Sequence, residues 1–173
     1  MTKNSRFTSN AFRLVVLALA GAASGSAVAA NATADAKSTV IAPIDITKGA
    51  DLVFGSFAAG AAGGTVVVST AGVRTKTGDV ILSGTAGAAA QFNVTGQAGM
   101  TYSINLVPTA LTRDGGGGTP MTFTVTSDIT SGLLAGTGAS GSQSFLVGGE
   151  LTVGAGQAPG DYSGSVSATV EYN

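Results

Sequence analysis

Hydrophobic and polar residues alternate along most of the chain, which is the pattern of β-strands with one buried face. Tyr102, Ile104 and Leu106, for example, are separated by single polar residues. Helical spacing is absent, and clusters of Gly, Ser, Asn and Asp separate the alternating segments, so the sequence predicts an all-β antiparallel sandwich. The predicted strands are Thr39 to Thr47, Gly64 to Thr70, Asp79 to Ser83, Ala90 to Thr95, Thr101 to Leu106, Met121 to Thr126, Ser144 to Val147, Leu151 to Val153 and Tyr162 to Tyr172.

The two ends of this pattern have the clearest alternation. The last predicted strand runs to the end of the sequence, and Ser, Thr, Glu and Asn occupy its other face. Its apolar or small face consists of Tyr162, Gly164, Val166, Ala168, Val170 and Tyr172. The first strand has a comparable face made of Val40, Ala42, Ile44 and Ile46. Both ends therefore predict extended, half-apolar strands, the first of them preceded by the polar, Ala-rich stretch 30–38.

Residues 1–30 have the organisation of a secretory signal peptide. Lys3, Arg6 and Arg13 form a basic region, an apolar region follows, and Ala27-Val28-Ala29-Ala30 offers cleavage after Ala29 or Ala30. Cleavage would leave a single domain of ordinary size, with five basic and nine acidic residues and a net charge of −4. We expect a protein secreted through the inner membrane, with no transmembrane segment after cleavage and no affinity for nucleic acid.

Composition argues against most catalytic and metal chemistry. The chain has no Cys and no His, so thiolate nucleophiles, histidine bases, disulfides and ordinary zinc sites are excluded. The acidic residues are dispersed rather than spaced as in a calcium loop. The run Gly115 to Gly118 lacks the Lys-Ser or Lys-Thr of a phosphate-binding loop, so it predicts a loop tip. We therefore predict no catalytic residues, no metal site and no cofactor.

A half-apolar strand at a chain end is a hazard, because its unpaired backbone groups invite edge-to-edge association. One interpretation is that the two terminal strands pair within the same sandwich. The other is that the N-terminal segment of one copy fills a groove in the next, as in β-strand addition. Because donor and acceptor surfaces would differ, such a contact is head-to-tail and grows an open filament.

Several segments carry a resemblance to known families. They include Ala50-Asp51-Leu52-Val53-Phe54-Gly55, Ala90-Gln91-Phe92-Asn93-Val94-Thr95-Gly96 and Gly160-Asp161-Tyr162-Ser163-Gly164. They resemble a family of secreted bacterial domains of unknown function and, more distantly, the spore coat U and archaic chaperone-usher pilin subunits. The resemblance implies an incomplete immunoglobulin-like sandwich that is completed by a donated strand, capped by a periplasmic chaperone and polymerised at an outer-membrane usher.

Carried onto this chain, the resemblance divides it into a leader (1–30), an N-terminal extension (31–47) and a sandwich (48–173). The strand Tyr162 to Tyr172 would line the acceptor groove and pair with the chaperone, and the face of Val40, Ala42, Ile44 and Ile46 would be donated. Pro43 removes one ladder donor from that segment. The alternative is that 30–38 is the donor and 39–47 the first strand of the body.

The expected function is that of a structural subunit of a cell-surface fimbria or pilus-like fibre, used in adhesion or biofilm formation. Its partners would be other copies of itself or related subunits, met after passage through the periplasm. The alternative from a different class is a monomeric secreted β-sandwich that binds glycan or a surface protein. A secreted hydrolase would need a concave cluster of carboxylates.

Overall fold

The structure is a computed structural model that describes residues 28–173. The predicted leader lies outside the described residues except for its last three positions. The chain divides into two units, one ending at Ser38 and one comprising Thr39–Asn173. The described residues of the first unit, 28–38, are exposed and have no regular secondary structure.

The second unit is an all-β structure of twelve strands, in which every pairing is antiparallel. This confirms the predicted fold class. No helix capable of crossing a bilayer occurs between residues 28 and 173. The strands are β1 (Asp45–Ala50), β2 (Ser56–Val68), β3 (Arg74–Ser83), β4 (Ala90–Gly96), β5 (Thr101–Pro108), β6 (Thr112–Arg113), β7 (Phe123–Ser127), β8 (Ser131–Leu133), β9 (Ala135–Thr137), β10 (Ser140–Val153), β11 (Tyr162–Ser163) and β12 (Val166–Tyr172).

The largest sheet is organised around β10. Its strand order is β1-β4-β10-β2-β3, and β7 and β9 also pair with β10. The first half of β10 pairs with β4 in the register Phe145 to Phe92, and the second half pairs with β2 in the register Leu151 to Val66. A three-stranded sheet has the order β12-β5-β8, and β11 forms a short ribbon with β6.

The core lies between the large sheet and the β12-β5-β8 sheet. One cluster of buried side chains brings together Phe145 from β10, Tyr102 from β5 and Val170 from β12. A second cluster, around Phe54, Phe123 and Leu151, lies beneath β2 and β7. Because period-2 alternation buries one face of each strand, the sheets pack with apolar faces inward, as in a β-sandwich.

Gly148 and Gly149 lie within β10, and this differs from the sequence prediction. Ser144 to Val147 and Leu151 to Val153 were expected to be two strands separated by a turn, but they belong to one strand of 14 residues. A Cβ at Gly148 would come within 2.4 Å of the Val68 carbonyl oxygen, and one at Gly149 within 2.9 Å of the Thr124 carbonyl oxygen. Here glycine permits close approach of the neighbouring strands rather than reversal of the chain.

The terminal strands also differ from the prediction. Residues 39–44 have no strand conformation, and pairing begins at Asp45 with β4. The predicted strand Tyr162 to Tyr172 is interrupted at Gly164 and Ser165, which separates β11 from β12. A Cβ at Gly164 would lie 2.8 Å from the Leu111 side chain and 2.9 Å from the Ala110 carbonyl oxygen. The break therefore falls where this strand crosses close to the segment that precedes β6.

The buried phenol of Tyr102 makes the stability of the fold depend on pH in the alkaline range. Its side chain is fully buried, and its hydroxyl donates to Gln143 Oε1 at 3.2 Å. Burial raises its pKa above 10.0, and the negative charge of Asp128 raises it further. The neutral phenol therefore stabilises the fold below pH 10, and this stabilisation is lost as the pH rises through the folded-state pKa.

We expect the free energy of unfolding to fall above pH 10. We also expect the unfolding free energies of the unaltered chain and of Tyr102→Phe to become more similar over that range, because the variant has no ionisable group at position 102. Urea unfolding of both proteins from pH 8 upward measures this. A difference that stays constant through alkaline pH would contradict the assignment to Tyr102.

Candidate functional site

The segment 52–59 forms the first wall of a groove, and Arg74 fixes its shape. The Arg74 guanidinium donates to the carbonyl oxygens of Phe54 and Ser56, each at 3.2 Å, and to that of Ser83 at 3.3 Å. Gly55 lies at the centre of this arrangement with φ +74°, in the left-handed region that favours glycine. Residues Leu52-Val53-Phe54-Gly55, the Leu-x-Phe-Gly element, therefore form a bent, arginine-bound segment that leads into β2.

The second wall is formed by residues 157–164 and is fixed by the side chains of three residues, Gln157, Tyr162 and Arg113. Gln157 Nε2 donates to the Thr119 carbonyl oxygen at 2.6 Å and to the Tyr162 hydroxyl at 2.9 Å. The Tyr162 hydroxyl in turn donates to the Ala158 carbonyl oxygen at 2.9 Å, and Arg113 Nε donates to that of Pro159, also at 2.9 Å. Both walls are thus held in place by hydrogen bonds to backbone carbonyls.

Between the walls the groove opens onto the hydrophobic core. Its volume is about 790 Å³, and its lining includes Leu111, Met121, Phe123 and Leu151. Met121 and Leu151 are at least 97% buried, and Phe123 packs edge-to-face on Phe54 with ring centroids 5.6 Å apart. The groove therefore offers an apolar interior to whatever enters it.

The strand edges beside the groove have unused pairing capacity. Residues Ser56–Ala59 of β2 pair with β3, but β10 pairs only with Gly64–Val68 of the same strand. β11 pairs with β6 along one edge, and no strand within residues 28–173 covers its other edge. An extended segment between these two edges would find backbone donors and acceptors as well as an apolar surface.

The edge of β12 continues this unpaired edge. The Ser165 carbonyl accepts from the Thr109 N–H at 2.8 Å, and the Asn173 N–H donates to the Thr101 carbonyl at 3.1 Å. Because hydrogen-bonded pairs alternate in an antiparallel ladder, the odd-numbered residues of β12 bond to β5. The backbone groups of Val166, Ala168 and Val170 therefore point to the other edge, which no strand of the described region covers.

The lining of the groove contains few charged side chains. Asp161 is the one charged residue among those that line it. Among residues 28–173, no three His, Cys, Asp or Glu side chains come together to form a metal site. A single carboxylate is not the carboxylate pair that glycoside hydrolysis uses. The arrangement is suited to binding an extended apolar group.

The sequence-predicted donor residues occupy different environments. The Val40 side chain is 95% exposed. Ala42 is bound through both backbone groups, to Gln97 Oε1 and to the Tyr172 hydroxyl. Ile44 and Ile46 pack, partly buried, against the core cluster around Phe145.

The sequence-predicted acceptor residues lie along two strands. Tyr162 lies in β11 and lines the groove together with Gly164, which follows it in the break between the strands. Val166, Ala168, Val170 and Tyr172 lie in β12. Alternation had placed them on one face, and all four pack against the core clusters.

Sequence reasoning missed the side chains that shape the groove. Arg74, Arg113 and Gln157 bind carbonyl groups that are 18 to 46 positions away, apart from the bonds of Arg74 to Ser83 and of Arg113 to Gly116. No local pattern encodes such contacts. The one available signal was that Arg74 and Arg113 are the only two arginines after residue 13.

Together these features define an antiparallel β-sandwich with an open apolar groove beside the edge of β12 that no strand of residues 28–173 covers. The chain belongs to a family of domains of unknown function, DUF4402, which matches residues 44–172. The match covers all twelve strands. Neither a curated protein nor a solved structure matches the chain.

Proposed function

We propose that this protein is a structural subunit of a cell-surface fimbria or pilus-like fibre, assembled by strand donation between copies. The observation that carries the proposal is the open groove that adjoins the unpaired edge of β12. An apolar groove flanked by free backbone groups is complementary to an extended strand that is apolar on one face. Donor and acceptor differ, so repeated contacts would form a head-to-tail filament.

The strand order supports an immunoglobulin-like sandwich without its last strand. β1, β4 and β10 are neighbours in one sheet, as strands A, B and E are in that fold. β12 and β5 are neighbours in the other sheet, as F and C are. Strand G of the complete fold would lie beside F, which here is the unpaired edge of β12.

The proposal extends to assembly and location. A periplasmic chaperone would pair with the β12 edge while the subunit is in transit, and an outer-membrane usher would exchange it for the next subunit. The working position would be the bacterial cell surface, in adhesion or biofilm. The subunit would need no catalytic group, metal or cofactor.

Ala168→Pro tests the acceptor edge. Its backbone N–H points away from β5, so proline removes no bond within the subunit but removes one ladder donor for an incoming strand. In the chain beginning at Asn31, we expect Ala168→Pro to abolish ladders resistant to mild detergent heating. The unfolding free energy of the monomer should change by no more than about 1–2 kcal/mol.

Ala168→Ser is the matched control, because it keeps the N–H and nearly the same volume, and it should form ladders like the unaltered chain. Equal ladders from the proline and serine variants would contradict strand addition at β12. A chain that stays monomeric without any substitution would contradict the fibre itself.

A second function is favoured by the size of the groove. A volume of about 790 Å³ lies within the usual range of small-ligand pockets, about 300–1,000 Å³. Phe54, Phe57 and Tyr162 also give it aromatic surface. A monomeric chain that binds glycan or a surface protein through this groove would support the binding-module alternative.

A further inference from the structure

Residues from Ala42 onward are held in their own subunit. The Ala42 N–H donates to Gln97 Oε1 at 3.3 Å, and its carbonyl accepts from the Tyr172 hydroxyl at 3.0 Å. That hydroxyl also accepts from the Gln97 N–H at 2.7 Å, which ties the three residues together. Donating Ala42 to another copy would break the whole arrangement.

Strand β1, which follows Ala42, is also held in its own subunit. Asp45–Ala50 pairs with β4, and the side chains of Ile44 and Ile46 pack into the core cluster around Phe145. Withdrawal of this segment would expose apolar side chains and leave the edge of β4 unpaired. The donor must therefore lie upstream of Ala42.

The segment 30–41 has the pattern that a donor needs. Small or apolar side chains occupy every even position, and mostly polar ones the odd positions. The even face consists of Ala30, Ala32, Ala34, Ala36, Ser38 and Val40. It is small along most of its length and ends in one larger apolar side chain, Val40, which is 95% exposed.

The space beside β12 differs between the two ends of the strand in a way that matches this segment. At the Tyr162 end lies the groove of about 790 Å³. At the Tyr172 end the space is occupied, since the Tyr172 hydroxyl binds Ala42 and lies 2.2 Å from where a Cβ at Gly96 would be. A strand with one large side chain fits only if that side chain is at the Tyr162 end.

Val40 cannot reach the wide end in its own subunit. It lies two residues from Ala42, a distance of at most about 7 Å along the chain. The strand from Val166 to Tyr172 separates the two ends by about 20 Å. The Val40 side chain can therefore enter only the groove of a second copy.

We propose, on the basis of the fibre function proposed above, that residues 30–41 of one copy pair antiparallel with β12 of the next. Val40 occupies the groove beside Tyr162, and the alanine face lies along β12. With Val40 level with Tyr162, Ala34 is level with Ala168. The segment after Ala42 stays in its own subunit.

Disulfide trapping tests the direction and the depth of insertion, because the chain has no cysteine of its own. Donor copies carry Val40→Cys or Ala34→Cys, and acceptor copies carry Ala59→Cys in the groove wall or Ala168→Cys in β12. We expect crosslinked dimers from Val40→Cys with Ala59→Cys and from Ala34→Cys with Ala168→Cys. The two exchanged combinations should remain uncrosslinked.

Val40→Asp tests whether the Val40 side chain occupies the groove. Thr39→Asp, on the opposite face of the segment, is the matched control. A carboxylate in the apolar groove is costly, so we expect Val40→Asp to reduce detergent-resistant ladders at least about tenfold. Thr39→Asp should leave them unchanged. Monomer stability should be the same in both, since the Val40 side chain is exposed.

The outcomes separate this inference from the proposed function. Ladders that persist in Val40→Asp, or crosslinks only in the exchanged combinations, would overturn the donor assignment while leaving the fibre intact. A lack of ladders in the unaltered chain would overturn both the fibre and the donor.

Discussion

Phe145→Ala is expected to lower the free energy of unfolding by about 3–5 kcal/mol, the usual cost of removing a buried aromatic ring. Phe145 is fully buried in β10 and lies directly across the ladder from Phe92. The two rings stack with centroids 5.4 Å apart and planes inclined at 23°. The substitution would leave a cavity between the two sheets and remove the partner of Phe92. Because total stabilities are about 5–15 kcal/mol, such a loss would bring the protein close to unfolding.

Leu146→Ala is the matched control, since Leu146 is the next residue of the same strand and 36% of its surface is exposed. It should cost about 1 kcal/mol or less. Urea denaturation of both variants, in the chain starting at Asn31 with Ala168→Pro to keep it monomeric, measures the difference. Similar losses in the two variants would show that the core does not lie between the sheets at Phe145.

Gly55→Ala is expected to cost about 2–5 kcal/mol and to close or distort the groove. Two effects add, since a Cβ is strained at φ +74° and would also lie 2.2 Å from the Thr85 carbonyl oxygen. It would further displace the Arg74 guanidinium from the carbonyls that it binds. The wall formed by 52–59 would then have to move.

Gly99→Ala separates the two effects, because Gly99 has φ +79° but nothing lies within 4 Å of its Cβ position. It should show only the backbone cost, about 1–2 kcal/mol. Thermal unfolding and ladder formation should be compared for both variants. If Gly55→Ala were no more damaging than Gly99→Ala, the close packing at Gly55 would be wrong.

Much of the fold could be predicted from alternation alone. Where medium-sized apolar residues alternate with polar ones, as in β4 and β5, the predicted strands correspond to observed ones. The first half of β2 was missed because Ser56–Gly63 is mainly Ala and Gly, whose small side chains show no contrast between faces. Its strand conformation depends on pairing with β3, a tertiary contact.

The candidate site was predictable only in part. The C-terminal strand and the Leu-x-Phe-Gly element stood out in the sequence, and both lie at the groove or its edge. The groove itself arises from hydrogen bonds between distant segments, such as Gln157 to Thr119 and Arg113 to Pro159. The division of the N-terminal segment at Ala42 likewise depends on Tyr172, 130 positions away.

The central position of β10 sets the order in which this protein can fold. β2 and β4 are made early, but each pairs with β10, and Val68 lies opposite Gly149, about 80 residues later. The large sheet therefore cannot assemble until synthesis has passed Val153. Until then β2 can pair only with β3 and β4 only with β1, so the core side chains that pack with Phe145 and Leu151 are incompletely covered. The dominance of distant pairings favours folding in milliseconds to seconds rather than microseconds. The emerging chain is thus exposed to aggregation during a delay that the position of one strand in the sequence determines.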